Sequence, residues 1–216
     1  MSVFDAYRGK HTGETAVILG TGPSLKDADH RIFDGACLIG SNEAVYLPYV
    51  VDYYFIGDAG SLQRGYRSDP GTYQRYTPRK QKFIRSKTTG SYAAMPEGLS
   101  DAVYYRTGGD SHGKSALPVL NLDLSNGPYD AGSISFEALQ FALWCGFKRI
   151  LLVGHDCTYA AGSFHAASVN AATNAWGNVI YASWERTGRF LTRFCPDVEV
   201  LSYRPVRLRM FPEVKV

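Results

Sequence analysis

Apolar residues along the chain gather in short, nearly continuous runs, each closed by a glycine or a polar residue. Thr15-Ala16-Val17-Ile18-Leu19-Gly20 is the first, followed by Gly35-Ala36-Cys37-Leu38-Ile39-Gly40 and Val50-Val51-Asp52-Tyr53-Tyr54-Phe55-Ile56-Gly57. Arg149-Ile150-Leu151-Leu152-Val153-Gly154 and Val198-Glu199-Val200-Leu201 come later. Runs of this length without polar alternation predict strands of a parallel sheet covered on both faces. Two segments carry the helical period instead. Ile134, Ala138, Phe141, Ala142 and Cys145 fall on one face of a segment that ends at Gly146, a C-terminal glycine cap. Ile180, Trp184, Thr187, Leu191 and Phe194 form a second stripe, with Glu185, Arg186, Arg189 and Arg193 facing outward. Strands alternating with helices predict an α/β fold: a Rossmann-like, mostly parallel sheet with helices on both faces.

Residues 61–100 lack a clear period and are rich in Tyr, Arg, Lys, Gly and Pro, which predicts a lid or insertion. Their interleaved rings and cations, Tyr66, Tyr73, Tyr76 and Tyr92 among Arg64, Arg67, Arg75, Arg79, Lys80 and Lys82, suit stacking on a base or sugar and neutralising a diphosphate or a single-stranded nucleic acid. The chain of 216 residues fits one domain, 1–216. A formal net charge of +3 argues against a duplex nucleic acid partner and suits a small anionic molecule. The four cysteines form no CxxC pair, and no apolar run reaches the roughly 18 to 20 residues that span a bilayer. The expectation is a cytoplasmic protein, with self-association left open.

The first strand ends in Gly20-Thr21-Gly22-Pro23-Ser24. Small residues at the carboxyl edge of a parallel sheet let a phosphate or ribose approach backbone N–H groups. Beyond the fourth apolar run stand Gly154-His155-Asp156-Cys157-Thr158-Tyr159 and Gly162-Ser163-Phe164-His165. His165 has the chemistry of a general base, and Asp156 that of a group orienting a ligand hydroxyl or a divalent ion. Asp156 also fits a turn cap, and His155 a packed side chain. Asp58, closing the third run, could share a magnesium ion with Asp156 if the two strands are neighbours. His155, Cys157 and His165 match no standard zinc spacing, so no zinc is expected.

Gly108-Gly109-Asp110-Ser111-His112-Gly113-Lys114-Ser115 satisfies the P-loop pattern. A P-loop needs a helix at its Lys-Ser end, yet Pro118 follows and Val119-Leu120-Asn121-Leu122-Asp123-Leu124 alternates like a strand. The match is therefore read as chance.

Several segments together resemble the bacterial sialyltransferases that use CMP-sialic acid, and the related motility accessory factor and MptE-like families. They are Val17 to Leu25, Gly40-Ser41-Asn42, Asp52 to Asp58, Gly132-Ser133, Gly146 to Asp156, and Leu201-Ser202-Tyr203-Arg204-Pro205. The resemblance implies a site in which Thr21, Gly22 and Asn42 hold ribose and phosphate and Gly132 and Ser133 contact the base. Gly20, Pro23, Ser24, Asp58 and Tyr159 complete that wall. It implies a glycosyltransferase-like enzyme with a CMP-sugar donor and an acceptor the sequence does not name. Two departures stand out: Thr21 replaces the family's loop asparagine, and Asn178 to Trp184 lacks the histidine that serves the family as base. Two alternatives remain: an MptE-like, magnesium-dependent diphosphokinase moving pyrophosphate from ATP to a pterin alcohol, and a nucleotide-binding protein without catalysis.

Overall fold

The structure is a computed structural model that describes residues 2–57, 77–86, 101–111, 118–158 and 171–214. Seven parallel strands make the central sheet: β1 (Thr15–Leu19), β2 (Cys37–Ser41), β3 (Tyr53–Ile56), β4 (Gln81–Arg85), β5 (Ala102–Tyr105), β8 (Arg149–Val153) and β9 (Glu199–Tyr203). Between β5 and β8, the two-residue strands β6 (Gly109–Asp110) and β7 (Tyr129–Asp130) pair in a separate parallel ladder. The central order is β5-β4-β3-β2-β1-β8-β9, so β1 pairs with β2 on one side and with β8 on the other.

That order decides where the helices go. Stepping from β1 toward β5 and from β8 to β9 are moves in opposite directions, and right-handed crossovers therefore put their connections on opposite faces. Helices α1 (Ile134–Cys145) and α2 (Ala171–Phe194) both contribute to the core on one face, through residues such as Phe136, Phe141, Trp184 and Leu191. Leu25, Ile32, Phe33, Ala44 and Leu47, from short 3-10 helices and the turns that follow them, cover the other face. Strand alternation serves both layers: Ala16 and Ile18 join the first core, Val17 and Leu19 the second.

Helix α1 is buried nearly all round because it crosses β1, β2 and β3 under an aromatic cluster. Phe55, Phe83 and Phe141 lie with ring centroids 4.8 to 5.2 Å apart. Each fully buried ring of this kind contributes about 1.5–3 kcal/mol. The helix stops at Gly146, whose φ of 86° a glycine adopts without strain and whose N–H reaches back to Leu143 O.

Three expectations need correction. Within 61–100, Gln81–Arg85 is β4, an inner strand of the sheet; residues 61–76 and 87–100 lie outside the described residues. Its Lys82 is fully buried, with the ammonium carried to Asp101 at 2.8 Å, which is why a cation interrupts an otherwise strand-like run. Val119 to Leu124 is not a strand: bends and a 3-10 turn bury Val119, Leu120 and Leu124 while Leu122 stays exposed. Phe194, placed on the buried stripe of α2, is exposed at the helix end. Among the described residues no helix is long and apolar enough to cross a membrane.

Candidate functional site at the carboxyl edge

The switch point of an open α/β sheet is where chain connections diverge to opposite faces, here between the carboxyl ends of β1 and β8. Instead of an open crevice, the two loops touch. The Gly20 N–H donates to Val153 O and the Gly22 N–H to Gly154 O, each at 2.8 Å. The Ser24 N–H donates to Asp156 Oδ2 at 2.9 Å, and the Ser24 hydroxyl donates to Asp156 Oδ1. A Cβ at Gly20 would stand 2.3 Å from Gly154 O, and one at Gly22 would stand 2.6 Å from Asp156 Cγ. Close loop packing thus accounts for both glycines. The expected cradle of exposed N–H groups is correspondingly reduced, because the donors at Gly20, Gly22 and Ser24 are engaged inside the protein. Pro23 begins the 3-10 helix that leads away, and the half-buried Thr21 takes no part in these bonds among the described residues.

Asn42 directly follows β2 with φ 42°, a left-handed conformation that asparagine tolerates better than most residues. Its Oδ1 accepts the Gly57 N–H at 2.9 Å, and its carbonyl accepts the Tyr54 hydroxyl. Next to it, Ser41 Oγ donates to Leu19 O at 3.1 Å, tying β2 to β1. Gly57 in turn abuts the start of α1: a Cβ there would lie 2.7 Å from Ile134 Cδ1. Ser133 is the N-cap of that helix, its hydroxyl accepting the Ser135 N–H at 3.4 Å, and the Gly132 N–H donates to Asp130 Oδ1 at 2.9 Å. Asn42, Gly57 and the start of α1 are therefore linked by direct contacts at one edge, and Thr21 follows β1, which pairs with β2.

A charged network that the sequence did not reveal supports this edge. Arg85, closing β4, donates from Nε and Nη2 to Gly57 O at 3.2 and 2.8 Å. Its Nη1 serves Asp130 at 2.6 Å and Glu137 at 2.7 Å. The Tyr105 hydroxyl donates to the other Glu137 oxygen. Burial pushes the Glu137 carboxyl up to about 7 against the opposing pull of Arg85, and burial holds the Tyr105 phenol well above its ordinary range. One guanidinium thus fixes the end of β3, the loop before α1 and the first turn of α1.

At the β8 end, Asp156 is the clamp of the glycine loop, with both carboxylate oxygens occupied by Ser24. His155 packs edge-on to Trp184 at 5.6 Å, with both ring nitrogens closed to solvent. Burial pushes its imidazole down to about 4, with the Val153 carbonyl offsetting only part of that shift. Arg207, beyond β9, donates to Cys157 O and Asn178 Oδ1, each at 2.9 Å. Sequence reading passed over Arg207 as well; its one signal is the pair Asn178 and Tyr181, three apart on α2, which only the topology brings to it. Asp58, Tyr159 and His165 lie outside the described residues, as do His112 to Ser115 of the P-loop-like stretch. The N–H groups of Gly108 and Ser111 in that stretch donate to Pro128 O and Asp130 O, as ladder bonds. Among the described residues no group of three His, Cys, Asp or Glu side chains is placed to hold a metal ion.

Comparison with family models, with curated proteins and with solved structures gave no match to the chain.

Proposed function

We propose that the carboxyl edge binds a nucleotide-activated sugar, with a CMP-sugar as the favoured donor, and that the protein transfers its glycosyl group. The observation that carries this reading is the link from Asn42 through Gly57 to the start of α1 at the carboxyl edge, where the glycine loop also follows β1. The motif resemblance supplies the chemistry. Asn42 spends its oxygen on Gly57, so its amide nitrogen is the group offered to a ribose hydroxyl. The first turn of α1 offers backbone N–H groups to a base or phosphate. Asp156 belongs to the framework in this reading, which leaves His165 as the residue proposed to take the acceptor's proton. The proposed setting is the cytoplasm, where the four free thiols stay reduced.

The test is calorimetry and thermal shift with CMP, CDP, UDP, GDP and ATP. One clear preference is expected, and Asn42→Ala should weaken it by about tenfold, the loss of one buried hydrogen bond. No response to any nucleotide overturns the reading. The magnesium-dependent diphosphokinase alternative relies on Asp156 as a metal ligand, and the double engagement of that carboxylate by Ser24 weighs against it. Donor binding without hydrolysis or transfer, across varied acceptors, would favour the binding-protein alternative.

A further inference from the structure

We infer that the Arg85–Asp130–Glu137 cluster couples a proton to ligand binding at the start of α1, taking up a proton as the anionic ligand arrives. This deepens the nucleotide reading and rests on it for the ligand's place.

The cluster is short of positive charge. Arg85 Nη1 is shared between Asp130 Oδ2 at 2.6 Å and Glu137 Oε1 at 2.7 Å, so a single guanidinium faces two carboxylates. Its Nε and Nη2 are turned to the Gly57 carbonyl, which brings no charge. The other groups around Glu137 do not redress the balance. From β5, the Tyr105 hydroxyl donates to Glu137 Oε2 as a neutral partner. From β6, Asp110 stands opposite Asp130 in the short ladder, and from α2 Arg186 reaches Ser111 O at 2.9 Å, so this outer pair adds one charge of each sign. With Glu137 ionised, one negative charge is in excess where that side chain has no exposure to water. A proton from water, placed on Oε2 toward Tyr105, removes the excess. Burial raises the Glu137 carboxyl to about 7 although Arg85 opposes it, so this proton is exchanged in the neutral range.

The same bonds reach the edge proposed for the ligand. Gly57 gives its carbonyl to Arg85 and its N–H to Asn42 Oδ1, and so joins the cluster to Asn42. Asp130 Oδ1 holds the Gly132 N–H beside the Ser133 cap. Glu137 lies four residues along α1 from Ser133, about one helical turn. An anion at that first turn therefore meets the excess charge of an ionised Glu137, whereas a protonated Glu137 leaves the positive end of the helix unopposed. The sign follows. The bound anion favours the protonated carboxyl and raises its value above that of the free protein, so binding takes up a proton and weakens as the pH rises through about 7.

Calorimetry of CMP-sialic acid with the full chain, in two buffers of different ionisation enthalpy, reads the proton directly. The ligand's phosphodiester and carboxyl keep their charge from about pH 6 to 9, so the proton belongs to the protein. Wild type should take up a fraction of a proton near pH 7.5 and bind roughly tenfold more weakly at pH 8.5 than at pH 6. Glu137→Gln, fixed in the neutral form, should lose that uptake and keep the tighter binding at high pH. A residue that only supports the fold would change affinity by one factor at every pH. Should the Gln variant fail to fold, Tyr105→Phe serves: it removes a donor to the ionised carboxylate and should move the midpoint of the pH profile upward. A midpoint that stays in place, no uptake in wild type, or equal uptake in wild type and Glu137→Gln overturns the coupling and leaves the nucleotide reading standing. No binding of CMP-sialic acid at pH 6, where the cluster is neutral, overturns the donor reading and the coupling together.

Discussion

Two arginines, Arg85 and Arg207, stand at opposite ends of the same sheet edge and are used in opposite ways. Arg85 ends β4 and is surrounded by the carbonyl of Gly57 and the carboxylates of Asp130 and Glu137. Arg207 follows β9 and meets a tyrosine face, an amide and a carbonyl, with no carboxylate partner among the described residues. The same side chain is a rivet between charged groups in one place and is held by neutral groups in the other. The difference teaches that on this edge the polar groups satisfied on every side build the frame. By that standard the Ser24–Asp156 clamp falls with Arg85.

The largest effect should come from breaking the rivet. Arg85→Ala leaves Glu137 buried without its cation and is expected to cost about 3–5 kcal/mol in urea denaturation at pH 8. Arg207→Gln, losing no carboxylate partner, should change stability by less than about 1 kcal/mol. Equal losses at the two sites would erase the distinction between them.

The pH dependence sharpens the same contrast. The folded Glu137 carboxyl takes up its proton near 7, against an ordinary value of 4.5 in the unfolded chain. The folded state therefore binds the proton more tightly, and the stability this gives is complete below about pH 4.5 and lost as the pH rises to about 7. The loss is roughly 3 kcal/mol. Glu137→Gln should flatten that stretch of the stability profile, measured by denaturant titration from pH 4 to 8. A wild-type profile that matches the variant's would mean that Glu137 stays ionised throughout.

The smallest effect concerns the clamp. In Gly22→Ala the added methyl would press against Asp156 Cγ and Gly154 O, for a cost of about 1–3 kcal/mol. In an Asp156→Ala background part of that clash disappears, so the two substitutions together should cost less than their sum in a double-mutant cycle. Strict additivity would show that the loops do not meet in solution.

Much of the frame was legible in the sequence because its signals are local. The apolar runs of β1, β2, β3, β8 and β9 and the periodic face of α1 with its capping Gly146 are properties of a few consecutive residues. β4 escaped because Lys82 looks exposed until Asp101, 19 residues away, is seen beside it. The run from Val119 to Leu124 misled because an irregular turn can bury Val119, Leu120 and Leu124 without making a strand. That the glycine loop and Asn42 stand at the carboxyl edge was also readable, since a glycine after a buried strand marks that edge. What the loop does there was not. Its N–H groups are spent on a partner loop far along the chain, and no local pattern distinguishes a glycine that admits a phosphate from one that admits another backbone. Arg207 was hidden for the same reason, as its neighbours come from two distant places, α2 and the loop after β8.

The seam between β1 and β8 also bears on when the protein completes this edge of the sheet. Ser24 and Asp156 are 132 residues apart, whereas β1 finds β2 close at hand. During synthesis β1, β2 and β3 can pair early, but the contact that shapes the glycine loop waits until most of the chain has emerged. Closing so long a loop adds little to the thermodynamic cost and much to the delay. Until then β1 presents an open flank, and a nascent chain held at that stage would expose the edge that β8 is destined to cover.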